Sequence, residues 1–283
     1  MNWEIAILQA LQNIRNPFLT SIMEAITALA ESLPLVIVLA ILYWCSDKKK
    51  TVRIGWAVLC STVVNGVIKN LIKAPRPFEK GVVKPLRVET ATSYSFPSGH
   101  TQNATSFWAS AMMIFRNKSM YILGITMIIL TAFTRLYLGV HWPVDVIAGM
   151  IIGLIVIVVA DKLYDEETGF TRWHVLGVGI LAFIFLIVPI EKDLLKSVGA
   201  LWGFVVGCYL EQNYIHFETK GTLKQQILKI IIGLGGVILV YLALKFILQG
   251  DLILSMIKYA LLVLWLIAGA PYFCLLYTSP SPR

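Results

Sequence analysis

The chain has 283 residues, of which 58% are hydrophobic and only 14% charged, with a mean hydropathy of +0.76. That balance excludes an ordinary soluble domain and points to a polytopic membrane protein, since each helical crossing needs about 20 mostly apolar residues. The net charge of +8 does not point to nucleic acid, because the cations sit at helix ends and in loops, with no basic stripe or interleaved aromatic side chains.

In chain order, residues 1–17 read as an interfacial amphipathic helix, with Trp3, Ile5, Leu8 and Leu11 set against Glu4, Gln9, Gln12 and Arg15. They lack the basic start and small-residue cleavage site of a secretory signal, so the N-terminus is expected to be retained. The fold class expected is all-α, a transmembrane bundle of about nine spans near 18–45, 54–73, 99–115, 119–136, 143–162, 174–190, 195–210, 228–248 and 252–276. The first is overlong and carries Glu24, Glu31 and Pro34, so it is expected to tilt, kink or split. Glu24, Glu31, Lys245 and Lys258 have no evident partner in the sequence. His174 and His216 read as interfacial or loop residues. Cys45, Cys60, Cys208 and Cys274 are scattered through apolar segments and read as packing residues. Residues 277–283 shift abruptly to Ser and Pro, as a non-native or assembly-derived terminus would.

The basic turns at Asp47–Arg53 and Arg116–Lys118 are of the kind retained in the cytoplasm. Alternation of the spans then carries three polar clusters to the opposite, outer side. The first holds Lys69 and Arg76, two helical turns apart, before the helix-ending Pro77; alone, Lys69 looks like any lysine snorkelling at a span end. The second is Pro97-Ser98-Gly99-His100, a helix start: Ser98 suits a cap, Gly99 admits a close ligand, and free N–H groups face an anion. Thr101, Gln102, Asn103 and Thr105 then make this span's beginning suit a wet cleft rather than lipid. The third runs from Arg135 to His141 and Asp145, where Pro143 fits a first helical turn and the i, i+4 spacing lets His141 and Asp145 meet.

Together the clusters resemble the three-part signature of the PAP2 (type 2 phosphatidic acid phosphatase) superfamily: Lys-x6-Arg-Pro, Pro-Ser-Gly-His and Ser-Arg-x5-His-x3-Asp. The one departure is Thr134 in place of Ser, which keeps the hydroxyl. The resemblance covers roughly residues 50–162 and implies a catalytic membrane core within 18–162, with 163–276 as additional transmembrane helices. It implies His141 as nucleophile, Asp145 as the group that orients it, and His100 as general acid. Lys69, Arg76, Ser98, Gly99 and Arg135 would bind the phosphate. No metal or other cofactor is expected, since the clusters offer one carboxylate where magnesium sites gather several.

The expected activity is hydrolysis of a lipid phosphate or diphosphate, such as phosphatidate, phosphatidylglycerol phosphate or a polyprenyl diphosphate. The expected location is a bacterial cytoplasmic membrane with the site facing outside. The partners are the bilayer and a lipid substrate, while oligomeric state leaves no mark in the sequence. Nine crossings and an outer N-terminus also resemble the glucose-6-phosphatases of the same superfamily. The alternatives are a phosphotransferase using the same intermediate and a non-catalytic phosphate channel or transporter. A permeation site, though, has no need of a nucleophile and an acid.

Overall fold

Apolar segments that must satisfy their own backbone in a bilayer become helices, and in a computed structural model the described residues, 2–188, 190–248 and 252–278, form helices and connections with no strand among them. In order these are α1 (Asn2–Asn13), α2 (Pro17–Leu29), α3 (Ser32–Cys45), α4 (Lys48–Ile72), α5 (Gly99–Phe115), α6 (Lys118–Tyr137), α7 (Pro143–Lys162), α8 (Arg172–Ile187), α9 (Lys192–Leu210), α10 (Leu223–Ile247), α11 (Leu252–Leu264) and α12 (Ala270–Thr278). Glu211–Ile215 and Trp265–Gly269 are π-helical turns that continue α9 and join α11 to α12.

Among the described residues six stretches are long and apolar enough to cross a membrane: α4, α6, α7, Lys192–Ile215, α10 and Ile253–Leu275. The overlong first segment is a bent pair, α2 and α3, meeting at 47° and making a seventh span if counted as one. The break at Ala30–Glu31 lies just upstream of Pro34, whose ring crowds the carbonyl four residues back and which has no N–H to give. The remaining two of nine expected crossings fall short. α8 has 16 residues, and α5 has 17 and begins with the polar run noted above. The tail lies outside the described residues from 279 onward.

The chain divides into two compact units, one made of Met1–Leu35 and Cys60–Ala160, the other of Val36–Leu59 and Asp161–Arg283. In the second, Gly199 and Gly203 on α9 lie so close to α11 that a Cβ would collide with the carbonyl oxygens of Met256 and Ala260. This is the small-residue stripe by which membrane helices bring their backbones together. In the same unit, the Lys229 ammonium, buried in α10, donates to the carbonyls of Glu218 and Thr219 at 3.0 and 2.8 Å. His174 closes a capping box with Thr171 at the start of α8, and His216 ends the π-turn in left-handed conformation.

The first unit contains every candidate site residue. Its α5 and α7 meet where Gly149 and Gly153 face the carbonyl oxygens of Ser98 and Gln102, at 2.8 and 3.0 Å from the positions a Cβ would take. Its α4 and α5 are joined by a polar seam: Asn65 donates to Gln102 at 2.9 Å, Gln102 to the Ser61 carbonyl at 2.8 Å, and the Ser106 hydroxyl to that of Ser61 at 2.7 Å. α1 packs Leu8 against Val83 and Trp142, covering the connection that carries His141. Glu31 is not a stray intramembrane charge, since it pairs with Arg87 at 2.7 Å.

Candidate active site

Each helix that ends near the site delivers one cation. Lys69 stands in the last turn of α4, where Lys73 in left-handed conformation (φ +51°) stops the helix, and Arg135 stands in the last turn of α6. Between α6 and α7 the chain turns at Gly139 (φ +71°), where a Cβ would lie 2.9 Å from the Arg15 guanidinium. The tight turn sets His141 over the start of α7, and Asp145 follows in its first turn.

His141 and Asp145 are 2% and 1% exposed. The imidazole Nδ1 lies 3.4 Å from the Asp145 Oδ2, and the Nε2 lies 3.3 Å from the Arg76 Nη1. The pairing fixes the tautomer: Nδ1–H faces the carboxylate, and the Nε2 lone pair faces the arginine. Burial, and then the charges of Arg76, Lys69 and Arg135, push the His141 ring below the ordinary histidine range. The neutral ring is thereby favoured over the imidazolium.

The cations are oriented by main-chain oxygens. Arg76 donates to the Ser93 carbonyl at 2.8 Å and the Val140 carbonyl at 2.7 Å, while Lys69 donates to the Tyr94 carbonyl. The 3-10 turns at Phe78–Lys80 and Val88–Thr90 fold the 74–97 connection so that its far end returns to supply these acceptors. Arg135 is 0% exposed. Its Nη1 donates to the Thr27 hydroxyl at 2.7 Å, while Nε and Nη2 are buried without a partner among the described residues.

Ser98 occupies the cap position of α5, but its hydroxyl makes no bond to the helix backbone. It meets the Thr101 hydroxyl at 3.0 Å instead, and its own N–H donates to the Asp145 carbonyl at 3.0 Å. A hydroxyl on the third helical residue intercepts the side chain that would otherwise cap, and the first amides of α5 are left without intrahelical partners. Gly99 opens the helix, where a Cβ would come within 3.2 Å of the Asn65 side-chain oxygen. The His100 ring is partly exposed and makes no hydrogen bond among the described residues.

All eight residues named from the sequence thus belong to one unit, and the structure adds others. Ser95, fully buried, donates from its hydroxyl to the Asp145 Oδ2 at 2.5 Å, and the Trp142 N–H donates to the same oxygen at 2.8 Å. Thr27 reaches the site from α2. No spacing rule marks either side chain, and main-chain donors and acceptors leave no trace in sequence. Among the described residues no three His, Cys, Asp or Glu side chains gather as a metal site requires.

A cluster of cations at helix ends, with a histidine backed by a carboxylate, is equipped for phosphoryl groups. The family model of the PAP2 superfamily matches residues 50–168, and that of the PAP2 superfamily phosphatase transmembrane extension matches 195–279. The undecaprenyl-diphosphatase BcrC of Bacillus subtilis is 32% identical over 160 residues, covering 55% of this chain and 80% of that protein. The chain belongs to the PAP2 superfamily.

An undecaprenyl-diphosphatase of Sulfolobus acidocaldarius is 38% identical over 109 residues, 37% of this chain, and the match spans about half, 52%, of that relative's length. The crystal structure of a transmembrane PAP2 type phosphatidylglycerolphosphate phosphatase from Bacillus subtilis superposes with a TM-score of 0.50 at 28% identity, covering 60% of this chain and 87% of the other. The chain is accordingly a multi-pass membrane protein of PAP2 phosphatase type. All eight motif residues lie within the matched 50–168 segment, whereas Thr27 precedes it.

Proposed function

We propose that this PAP2 protein hydrolyses a lipid phosphate or lipid diphosphate through a phosphohistidine on His141, with no metal. The observation that carries the reading is the posture of His141, whose Nδ1 faces Asp145 while its Nε2 faces Arg76. A histidine kept merely for packing does not need a neutral Nε2 turned into a cluster of three cations.

In the first half-reaction Nε2 attacks phosphorus, the bond from phosphorus to the leaving oxygen breaks, and His100 gives that oxygen a proton. Asp145 stabilises the positive charge that appears on the His141 ring. In the second half-reaction His100 takes a proton from water, the oxygen of which attacks phosphorus. The Nε2–P bond then breaks and inorganic phosphate leaves. Lys69, Arg76, Arg135, the Ser98 hydroxyl and the Gly99 N–H hold the equatorial oxygens, where loss of one well-placed donor typically costs about 10²–10³ in rate.

The relatives named above act, by their names, on undecaprenyl diphosphate and phosphatidylglycerol phosphate. With the site on the outer face, a carrier-lipid diphosphate or an outer-leaflet phospholipid phosphate is the substrate class this site serves. The deciding measurement is phosphate release by the purified protein from phosphatidate, phosphatidylglycerol phosphate, a polyprenyl diphosphate, a sphingoid phosphate and a water-soluble sugar phosphate. Release from a lipid substrate well above the sugar phosphate supports the reading, and no release from any of them sinks it.

A further inference from the structure

Arg135 is the least exposed cation of the site and is only partly satisfied. A buried donor without a partner is destabilising, so two on one side chain call for a reason. In a guanidinium, Nε–H and one of the terminal N–H groups point along the same edge, and that edge is the fork that meets two oxygens of a phosphoryl group at once. Nε and Nη2 form this edge in Arg135, and they are the two donors without partners among the described residues. The third nitrogen, Nη1, is tied off by Thr27.

Thr27 is itself held from both directions. Thr20, Met23 and Thr27 share one face of α2. Met23 packs on Tyr137 and Leu138, and the Thr20 hydroxyl lies 2.9 Å from that of Tyr137. Beyond Thr27, the break after Leu29 is secured by Arg87, which donates to the Glu24 carbonyl at 3.2 Å and pairs with Glu31 at 2.7 Å. The residue next to Arg87 is tied to the end of α6, the Leu86 N–H donating to the Leu138 carbonyl at 2.9 Å. Packing of α2 on α6 therefore does not need the Thr27 hydroxyl, and valine fills the same space. Among the described residues the hydroxyl's partner is the guanidinium alone.

We propose that Thr27, which lies ahead of the segment that the superfamily core model matches, is a positioning residue for phosphate binding. Its hydroxyl fixes the plane of the Arg135 guanidinium so that the Nε/Nη2 edge is presented to two phosphoryl oxygens. The inference rests on the phosphatase reading, and makes the half-helix α2 part of the active site rather than a membrane anchor.

The test uses the full chain in detergent, with the most rapidly hydrolysed substrate of the panel and with orthovanadate binding read separately as the rise in thermal unfolding midpoint. Thr27→Val should lower kcat/KM roughly tenfold or more, the loss expected for a hydrogen bond to a charged group, and weaken vanadate binding by a similar factor. Thr27→Ser, which keeps the hydroxyl, should stay within about threefold of the wild type. In an Arg135→Lys background, which has no fork to align, Thr27→Val should add no further loss of vanadate binding. Wild-type kinetics and vanadate affinity in Thr27→Val would overturn the proposal, as would equal damage from serine and valine, or an undiminished effect in the lysine background. If the valine variant does not fold, Thr27→Ala enters the same comparison. A wild type that releases no phosphate yet binds vanadate in a Thr27-dependent way would defeat the phosphatase reading and leave this one standing.

Discussion

The Ser95 hydroxyl donates to the Asp145 carboxylate at 2.5 Å, on the same oxygen that accepts the Trp142 N–H and faces the His141 ring. Three donors converge on Oδ2, so the carboxylate cannot swing without breaking two bonds that have nothing to do with histidine. The His141 ring thus meets a fixed acceptor, and its angle toward Arg76 is set in turn. In the proposed mechanism this is how the carboxylate would orient the imidazole that reacts.

Ser95→Ala should therefore lower kcat roughly tenfold while changing KM little, because it removes an interaction with a charged group that matters when charge develops on His141. Ser95→Thr restores the hydroxyl and should recover part of the rate. Steady-state kinetics of the two variants decide the matter; a KM effect with unchanged kcat would place Ser95 in substrate binding instead.

His141→Ala should abolish turnover in a protein that still folds, since no neighbouring side chain can take the place of Nε2. Asp145→Asn should be less damaged, keeping shape and one hydrogen bond while losing the charge that stabilises the imidazolium. Turnover by His141→Ala at the wild-type rate would remove His141 from the mechanism.

The eight motif residues were legible from their order and spacing in the chain, but the helical reading of that spacing holds only in part: α4 stops at Ile72, so Arg76 stands in the connection beyond it rather than two turns along from Lys69, and His141 precedes α7, whose first turn carries Asp145. What holds them was not legible. Ser95 and Thr27 act through contacts 50 and 108 residues away in the chain, and the orienting acceptors at Ser93, Tyr94 and Val140 are main-chain oxygens that every residue carries. The bent pair α2–α3 was visible through Pro34 and the excess length. The count of nine crossings was not secured by hydropathy, because the first turns of α5 are polar and buried in a seam with α4 rather than set in a wet cleft, and α8 is short.

Because burial and the cations around it push the His141 ring below the ordinary histidine range, it stays neutral as pH falls through that range. In the proposed mechanism the nucleophilic form is present above the lowered value and is lost only as pH drops through it. The acid limb of kcat/KM should accordingly lie below about 6.5, the usual histidine value. A profile from pH 4 to 9 tests this, and an acid limb at or above that value would contradict it.

Activity should survive EDTA without added magnesium, since three cations of the chain's own stand where metal ions would neutralise phosphoryl charge. Orthovanadate should inhibit, because it adopts the trigonal-bipyramidal geometry of the phosphoryl group in transfer. Complete loss of phosphate release on chelation, restored by magnesium, would argue for another mechanism.

The last prediction concerns sidedness, and it follows from single helices. From Lys48 to Lys69 α4 rises about 32 Å at 1.5 Å per residue, enough to put the basic turn and the phosphate-binding lysine on opposite faces of a bilayer. α5 runs from Gly99 at the site to Phe115 beside the second basic turn, and α6 runs back from Lys118 to Arg135. If the basic turns stay cytoplasmic, all three clusters open outward and the substrate is drawn from the outer leaflet. Thr92 and Lys49 are both exposed and lie near opposite ends of this arrangement. In a background with the four native cysteines replaced by alanine, Thr92→Cys should react with a membrane-impermeant maleimide on intact cells. Lys49→Cys should react only after permeabilisation. The reverse pattern would turn the site to the cytoplasm, and with it the substrate would become an inner-leaflet lipid or a cytosolic phosphate ester.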